Sequence, residues 1–400
     1  MAADKPTQGV PAQSMSRTPW TDPTVRSYVY QASLLALVVS LFWYLADNTF
    51  QNLARQGIAS GFGFWNHTSG FGINTTLIEY SETSTYGRVF FVGLLNTLLV
   101  SSIGIVIATT LGFFIGIARL SPNWLIAKMA SVYIETLRNI PLLLQIFFWY
   151  FGVLRALPSP SQSHSLFDAI FLNIRGMQFP APVPGDGFWV IPVSTVLGLV
   201  AWALLAWRMR RLKERTGHSV NIHWLGLIIT VALTVITAMK SGVPLAWDVP
   251  ELKGFNFKGG ITVVPEFVAL VLALATYTAA FIAEIVRAGI QSVDKGQKEA
   301  AQAVGLRPGQ VLKFVIIPQA LRVIVPPLTN QYLNLTKNSS LAAAIAYPDL
   351  VQVFAGTALN QAGQAVEIIG ITMMVYLTIS LTIAMFMNIY NRRTAFKGKT

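Results

Sequence analysis

Residues 299–305 read Glu299-Ala300-Ala301-Gln302-Ala303-Val304-Gly305, a stretch set in a polar loop between two hydrophobic segments. Ala300, Ala301 and Ala303 favour helix and add no bulk, Gly305 supplies a stop, and Pro308 opposes continuation. The spacing predicts a short helix with a smooth face and with Glu299 near its N-terminal end, where the helix dipole favours an acid. Such a helix offers shape rather than chemistry and suits a groove on another protein. Taken alone it can also be an Ala-rich turn between helices; its surroundings decide against that.

Those surroundings are apolar. Of 400 residues, 53% are hydrophobic and 12% charged, and mean hydropathy is +0.54, whereas about a quarter of a soluble globular chain is charged. The bilayer is the solvent for most of this sequence. There are no cysteines, which excludes disulfides and thiolate metal sites. A net charge of +12 would suit nucleic acid, but the basic residues fall in short clusters between apolar runs, as the positive-inside rule produces. The expected surroundings are therefore membrane lipid and no nucleic acid.

From the N-terminus, residues 1–27 are polar, hold four prolines and lack the pattern of a cleavable signal, which predicts a loose cytoplasmic tail. The apolar run 28–46, bracketed by Tyr28, Tyr30, Trp43 and Tyr44, is about the length a spanning helix needs. Residues 47–86, Gly-, Thr- and Asn-rich with Phe62, Phe64, Trp65 and Phe71, are placed outside, partly along the membrane surface. A second crossing covers 89–118, where Gly104, Ala108, Gly112 and Gly116 recur every four residues as a ridge for close helix contact. The partner on that ridge is either another subunit or this chain itself.

A third stretch, 129–154, contains Glu135-Thr136-Leu137-Arg138-Asn139-Ile140-Pro141-Leu142-Leu143-Leu144-Gln145. Charges, an amide and a proline inside a span are costly unless they face a cavity or a partner. Glu135 and Arg138, three apart, can also neutralise each other on one helix face. Residues 155–188 are Pro- and Gly-rich and read as a loop; spans at 189–207 and 223–239 then flank Arg208, Arg210, Arg211, Lys213 and Arg215, the densest basic cluster, which fixes that turn inside. His218 and His223 are five apart, against a shared metal. Residues 240–264 are polar and external, and a span at 265–288 ends in Glu284 and Arg287, read as a structural pair at the membrane boundary.

The run 311–336 mixes Pro318, Arg322, Pro326, Pro327, Asn330, Gln331 and Asn334 with Val, Ile and Leu, so it reads as a broken or kinked helix lining a path. Residues 342–365 are Ala- and Gly-rich and close the external side, and a last span at 367–390 precedes Arg392, Arg393, Lys397 and Lys399. Eight crossings with both termini inside place 19 of the 29 basic residues at inner ends and loops. No Gly-x4-Gly-Lys-Ser/Thr phosphate loop occurs: Gly398-Lys399-Thr400 has Arg393 where the first glycine should stand. Nor is there a Gly-x-Ser-x-Gly elbow or a His-Glu-x-x-His pair, so enzymatic chemistry is not expected here.

The run Glu299-Ala300-Ala301, three residues, Gly305, nine residues, Val315, then Ile317-Pro318 resembles the EAA loop of binding-protein-dependent ABC importer permeases. Val315-Ile316-Ile317-Pro318 stands where the family usually has Ile-x-Leu-Pro. The stretch from Glu135 to Gln145 is similar to the Glu-x-x-Arg-Gly-Thr-Pro-Leu-x-x-Gln run of the amino-acid permeases, with Asn139-Ile140 in place of Gly-Thr. Lys337-Asn338-Ser339-Ser340-Leu341 resembles the family's Lys-Asn/Asp-Ser-Ser-Leu turn.

This resemblance implies an all-α integral membrane protein of about eight transmembrane helices. It has a type I ABC importer permease core at 87–155 and 261–391, an extra N-terminal span at 28–46, a two-span insertion at 156–260, an EAA coupling loop at 291–310 and a cytoplasmic tail at 392–400. It implies the permease subunit of an ATP-driven amino-acid importer in the bacterial inner membrane, of the polar and general L-amino-acid type. The implied partners are cytoplasmic ABC ATPase subunits, a second permease subunit, homologous or identical, and a periplasmic amino-acid-binding protein. ATP and Mg would be held by the ATPases, so no cofactor is expected in this chain. ATPase coupling falls to Glu299, Ala300, Ala301 and Gly305. Arg138, Asn139, Gln145, Asn334, Asn338 and Ser339 supply donors and acceptors suited to an amino acid's charged groups; each can also be a satisfied interhelical polar residue. The rival from another class is an ion-gradient-driven secondary amino-acid transporter, which would show paired broken helices in an inverted repeat. One broken segment, 311–336, is expected, without a mate.

Overall fold

The computed structural model describes residues 23–55, 57, 60–183, 190–216, 223–240 and 246–394. The tails at 1–22 and 395–400, His218, and the side chains of Arg210, Arg211, Lys213, Arg215 and Arg393 lie outside the described residues.

In chain order the elements are α1 (Pro23–Arg55), α2 (Tyr86–Arg119), α3 (Trp124–Asn139) and α4 (Leu142–Phe147), which continues as π-helix through Phe148–Leu154. Strands β1 (His164–Leu166), β2 (Ile170–Asn173), β3 (Gly176–Phe179) and β4 (Ala181–Val183) follow. A helical hairpin, α5 (Val190–Thr216) and α6 (His223–Lys240), leads into β5 (Ala246–Asp248), β6 (Glu251–Lys253), β7 (Asn256–Lys258) and β8 (Ile261–Val263). The chain ends with α7 (Pro265–Gln291), α8 (Lys295–Ala303), α9 (Pro308–Val311), α10 (Ile317–Asn338), α11 (Leu359–Ala362) and α12 (Ala365–Thr394).

Among the described residues, six helices are long and apolar enough to cross a bilayer, and the bent pair α3–α4 makes seven. α9 and α10 join through a π-turn into one of these spans, Pro308–Ile345. α6, the remaining segment of the eight expected, is the shorter apolar helix.

α7 is the central helix: Ala269, Leu270, Ala273, Leu274, Ile282 and Val286 are fully buried. The ridge of small residues on α2 meets this helix. A Cβ on Gly112 would lie 2.6 Å from the Cβ of Ile282, and one on Gly116 2.7 Å from the carbonyl oxygen of Ala283. Gly104 faces Leu335 of α10. The ridge is therefore spent on packing within the chain, not kept for another subunit. α1 has no buried residue, as a helix apolar all round can be when lipid is its neighbour.

The break falls between α3 and α4, not in 311–336. Ile140 and Pro141 are extended (ψ 128° and 136°), and the two helices meet at 108°. Proline lacks the N–H that would serve Leu137, so the ladder ends there. Pro326 and Pro327 sit inside α10 without dividing that span.

Segments read as plain external loops, 155–188 and 240–264, contain strands. β1, β2, β3 and β8 form an antiparallel sheet in that order, with Phe171 opposite Gln178 and Gln178 opposite Thr262. β4 pairs β5, with Val183 opposite Ala246, and β6 pairs β7. Both ends of the α5–α6 hairpin thus arrive at one small β layer at the start of α7. Residues 60–86 also fold back on the helices: Phe64 is buried, and the rings of Trp65, tilted, and Phe354, edge-on, lie 5.2 and 5.3 Å from Phe90.

Candidate coupling and translocation site

α8 begins at Lys295 because Asp294 caps it, its carboxylate accepting from the Gly296 N–H at 2.6 Å. The acid at the positive end of the dipole is therefore Asp294, and Glu299 stands mid-helix, contrary to the sequence expectation. The helix ends as expected. Gly305 adopts φ +82°, and its N–H donates to Gln302 O at 2.9 Å while the Leu306 N–H donates to Ala301 O at 3.2 Å, a glycine-closed helix end. Glu299, Ala300, Ala303 and Gly305 are exposed, Val304 is 77% exposed, and Ala301 is buried. Arg307 precedes Pro308 at the start of α9, and Val315-Ile316 belong to the π-turn that delivers Ile317-Pro318 to the start of α10.

At the same end of α7, charges tie three helices together. Arg119 at the end of α2 donates to Glu284 at 2.6 Å and to Glu135 at 3.2 Å, and the Arg287 Nε reaches both oxygens of Glu284 at 3.1 and 3.0 Å. The expected Glu284–Arg287 pair is thus present with a third member. Glu135 pairs with Arg119 rather than with Arg138, whose guanidinium lies over the Phe281 ring at 5.2 Å, a cation–π contact.

On α10, Val323, Pro326, Asn330, Asn334 and Lys337 are exposed at intervals of three and four residues, while Ala320, Ile324, Leu328 and Leu335 are buried. These share one face of the span, apolar at Val323 and Pro326 and a polar stripe from Asn330 through Asn334 to Lys337. It leads to a cavity of about 420 Å³ lined by Lys337, Ser340, Val351, Thr372, Tyr376 and Ser380 among others. Asn338 is half-buried; Ser339 is buried and donates to Thr336 O at 2.7 Å. Arg138 and Asn139 are exposed at the end of α3, Asn139 donating to Glu135 O at 2.7 Å. Gln145 is buried, its amide donating to Leu137 O at 2.9 Å and Ile140 O at 3.0 Å. The six expected path residues thus divide between the α3–α4 bend and the end of α10.

Sequence reasoning passed over Asp349. It caps the π-helical stretch Leu350–Ala358, accepting from the Gln352 N–H at 2.8 Å and from Tyr376 at 3.4 Å. Burial pushes its carboxyl from 3.8 up to about 7. Asn96 donates to Thr75 O and Pro348 O at 2.9 and 2.8 Å, and the Thr97 hydroxyl accepts from the Leu350 N–H at 3.0 Å. The signal was an acid directly before an apolar run, hidden by the Ala-rich sequence around it.

A family model described as the inner membrane component of binding-protein-dependent transport systems matches residues 215–396. YhdX of Escherichia coli (strain K12), named as an amino-acid ABC transporter permease, is 54% identical over 94% of this chain and 96% of its own. The general L-amino acid transport system permease AapQ of Rhizobium johnstonii is 50% identical over 95% and 94%. A solved amino acid ABC transporter aligns over 77% of this chain and 95% of its own at 23% identity, with a TM-score of 0.46. The near full-length identity to YhdX and AapQ sets aside the ion-driven carrier, and the chain belongs to the permeases of binding-protein-dependent amino-acid ABC transporters.

Proposed function

We propose that α8 is the element through which this permease receives force from a cytoplasmic ATPase, and that the polar stripe of α10 lines the path of the amino acid. The observation that carries the first half is an exposed, glycine-terminated helix, with Ala300, Ala303 and Val304 open to a partner, at the end of α7 away from the β layer. α7 is about 40 Å long at 1.5 Å per residue, enough to separate the two across a bilayer. With α8 inside, the β layer is periplasmic and both termini are cytoplasmic. The core at 87–155 and 261–391 then carries an added span at 28–46 and a two-span insertion at 156–260.

The stripe supports the path because Asn330, Asn334 and Lys337 cannot all face hydrocarbon. Asn334 and Asn338, with Arg138 and Asn139 from α3, are the proposed contacts for the amino and carboxyl groups of the substrate. Gln145 and Ser339, buried and bonded to backbone, hold the walls. The proposed partners are two ATPase subunits binding ATP and Mg, a second permease facing the stripe, and a periplasmic binding protein delivering general L-amino acids, as the name of AapQ has it for that system. ATP-driven closure of the ATPases would favour the outward-open state only through contacts that differ between the two states.

Glu299→Lys and Gly305→Leu test the coupling role. A Cβ at Gly305 meets nothing within 4 Å, so the cost there is its positive φ. Both variants are expected to insert normally and to lose uptake by about tenfold or more, the effect of losing on the order of 1.4 kcal/mol of productive docking, while ATP hydrolysis by the complex persists. Normal uptake by both would overturn the assignment.

A further inference from the structure

A cavity of about 890 Å³ opens beside the first turns of α12, walled by Phe50 of α1, Phe62, Leu94 and Leu98 of α2, and Ile371 and Met374 of α12. One acid stands among these apolar groups. Glu367 is 9% exposed; its Oε1 accepts from the Gly61 N–H, and its buried Oε2 has no hydrogen-bond partner among the described residues. An unpaired carboxylate oxygen in an apolar wall is costly unless a cation or donor meets it. The site thus asks for a positive hydrogen-bond donor at one end and hydrocarbon everywhere else.

The direction of approach follows from helix periodicity. Glu367, Ile371, Met374 and Thr378 recur at intervals of four, three and four and share one face of α12. Thr372, Met373, Tyr376 and Ser380, which line the cavity next to Lys337, occupy the other. The large cavity therefore turns away from the proposed substrate path. Its α1 wall belongs to a helix with no buried residue, apolar enough to cross a bilayer.

We infer that this cavity seats a phospholipid bearing a primary ammonium group. The ammonium pairs with Glu367, a charge-assisted hydrogen bond, and the acyl chain lies against Leu94, Leu98, Ile371 and Met374. The inference stands on Glu367 and its cavity alone and does not depend on the roles assigned to α8 or α10.

The test uses the full chain, purified in mild detergent with whatever subunits it retains. Retained lipid is counted by native mass spectrometry, and the melting midpoint is followed while phosphatidylethanolamine, phosphatidylcholine or phosphatidylglycerol of identical acyl chains is added. Phosphatidylethanolamine is expected to be retained about tenfold over the other two, a difference of roughly 1.4 kcal/mol, and to raise the midpoint most. Glu367→Gln should abolish that preference. A Cβ on Gly370 meets nothing within 4 Å, so Gly370→Leu projects into the cavity without backbone conflict and should lower retention of all three lipids with Glu367 intact. Equal retention of the three lipids by the unaltered chain would overturn the inference, as would a preference that survives Glu367→Gln. If Glu367→Gln does not fold, unchanged retention in Gly370→Leu overturns it. Cross-linking of Met374→Cys to a companion polypeptide instead of lipid would do the same.

Discussion

The side-chain amide of Gln145 donates to the carbonyls of Leu137 and Ile140, two oxygens that the Pro141 break leaves outside the helix ladder. This bond pair makes a 108° turn tolerable in a medium that offers no water to unpaired backbone. Gln145→Leu keeps much of the volume and removes both donors. It is expected to lower stability by about 1–3 kcal/mol, the usual cost of stranding buried polar groups, measured as an earlier midpoint in denaturant titration of the purified chain. The apparent affinity for amino acid should be unchanged in the protein that remains folded, since this side chain spends its donors on backbone. A large shift in affinity without loss of stability would return Gln145 to the substrate path.

Among the elements, the connection between α10 and α12 is held by polar groups from α2, with Asp349 at its centre. A carboxyl whose folded-state value is about 7 against an ordinary 3.8 binds more protons folded than unfolded. Its contribution is fully present below about pH 4 and is lost as pH rises through 7. The melting midpoint of the unaltered chain should therefore fall between pH 4 and pH 8. Asp349→Asn, which still caps Gln352, should flatten that slope. The elements differ in how far the sequence exposed them. Spans such as α2, α7 and α12 were readable because an uninterrupted run of about 20 apolar residues matches the thickness of a bilayer and little else. The strands were not, since each is three or four residues long and β3 meets a partner beyond two intervening helices. The break was placed in 311–336 because prolines were counted there. What decides a break is whether the freed carbonyls find another donor, and for Leu137 that donor, Gln145, lies eight residues along the chain. Helix α8 was legible in its end, Gly305, and misread at its start, because Asp294 and not Glu299 supplies the cap.

At the scale of the whole molecule, α5 and α6 behave as an attachment to the rest. Thr195 and Thr234 share a hydrogen bond at 3.1 Å, and Gly198 and Gly226 receive Thr230 and Trp202 of the opposite helix. Val183 and Ala246, which flank the hairpin, are already paired across β4 and β5. Replacing residues 184–245 by Asn-Gly should therefore close a two-residue β-turn. The shortened chain is expected to reach the membrane, fold with the core intact and sustain uptake within about twofold of the full chain, with accumulation of labelled amino acid in cells as the readout. Collapse of the core, seen as rapid proteolysis of α7, would show that the hairpin is structural. The pairing of β3 with β8 also sets a schedule for synthesis. About 80 residues separate the two strands, so at 5–20 residues per second β3 waits on the order of 4–16 s for its neighbour. For those seconds the edge of β3 that β8 will cover stays open, the kind of surface that recruits foreign strands. Both hairpin helices must be synthesised before that edge can be sealed, so a strand laid down before α5 is completed only as α7 begins.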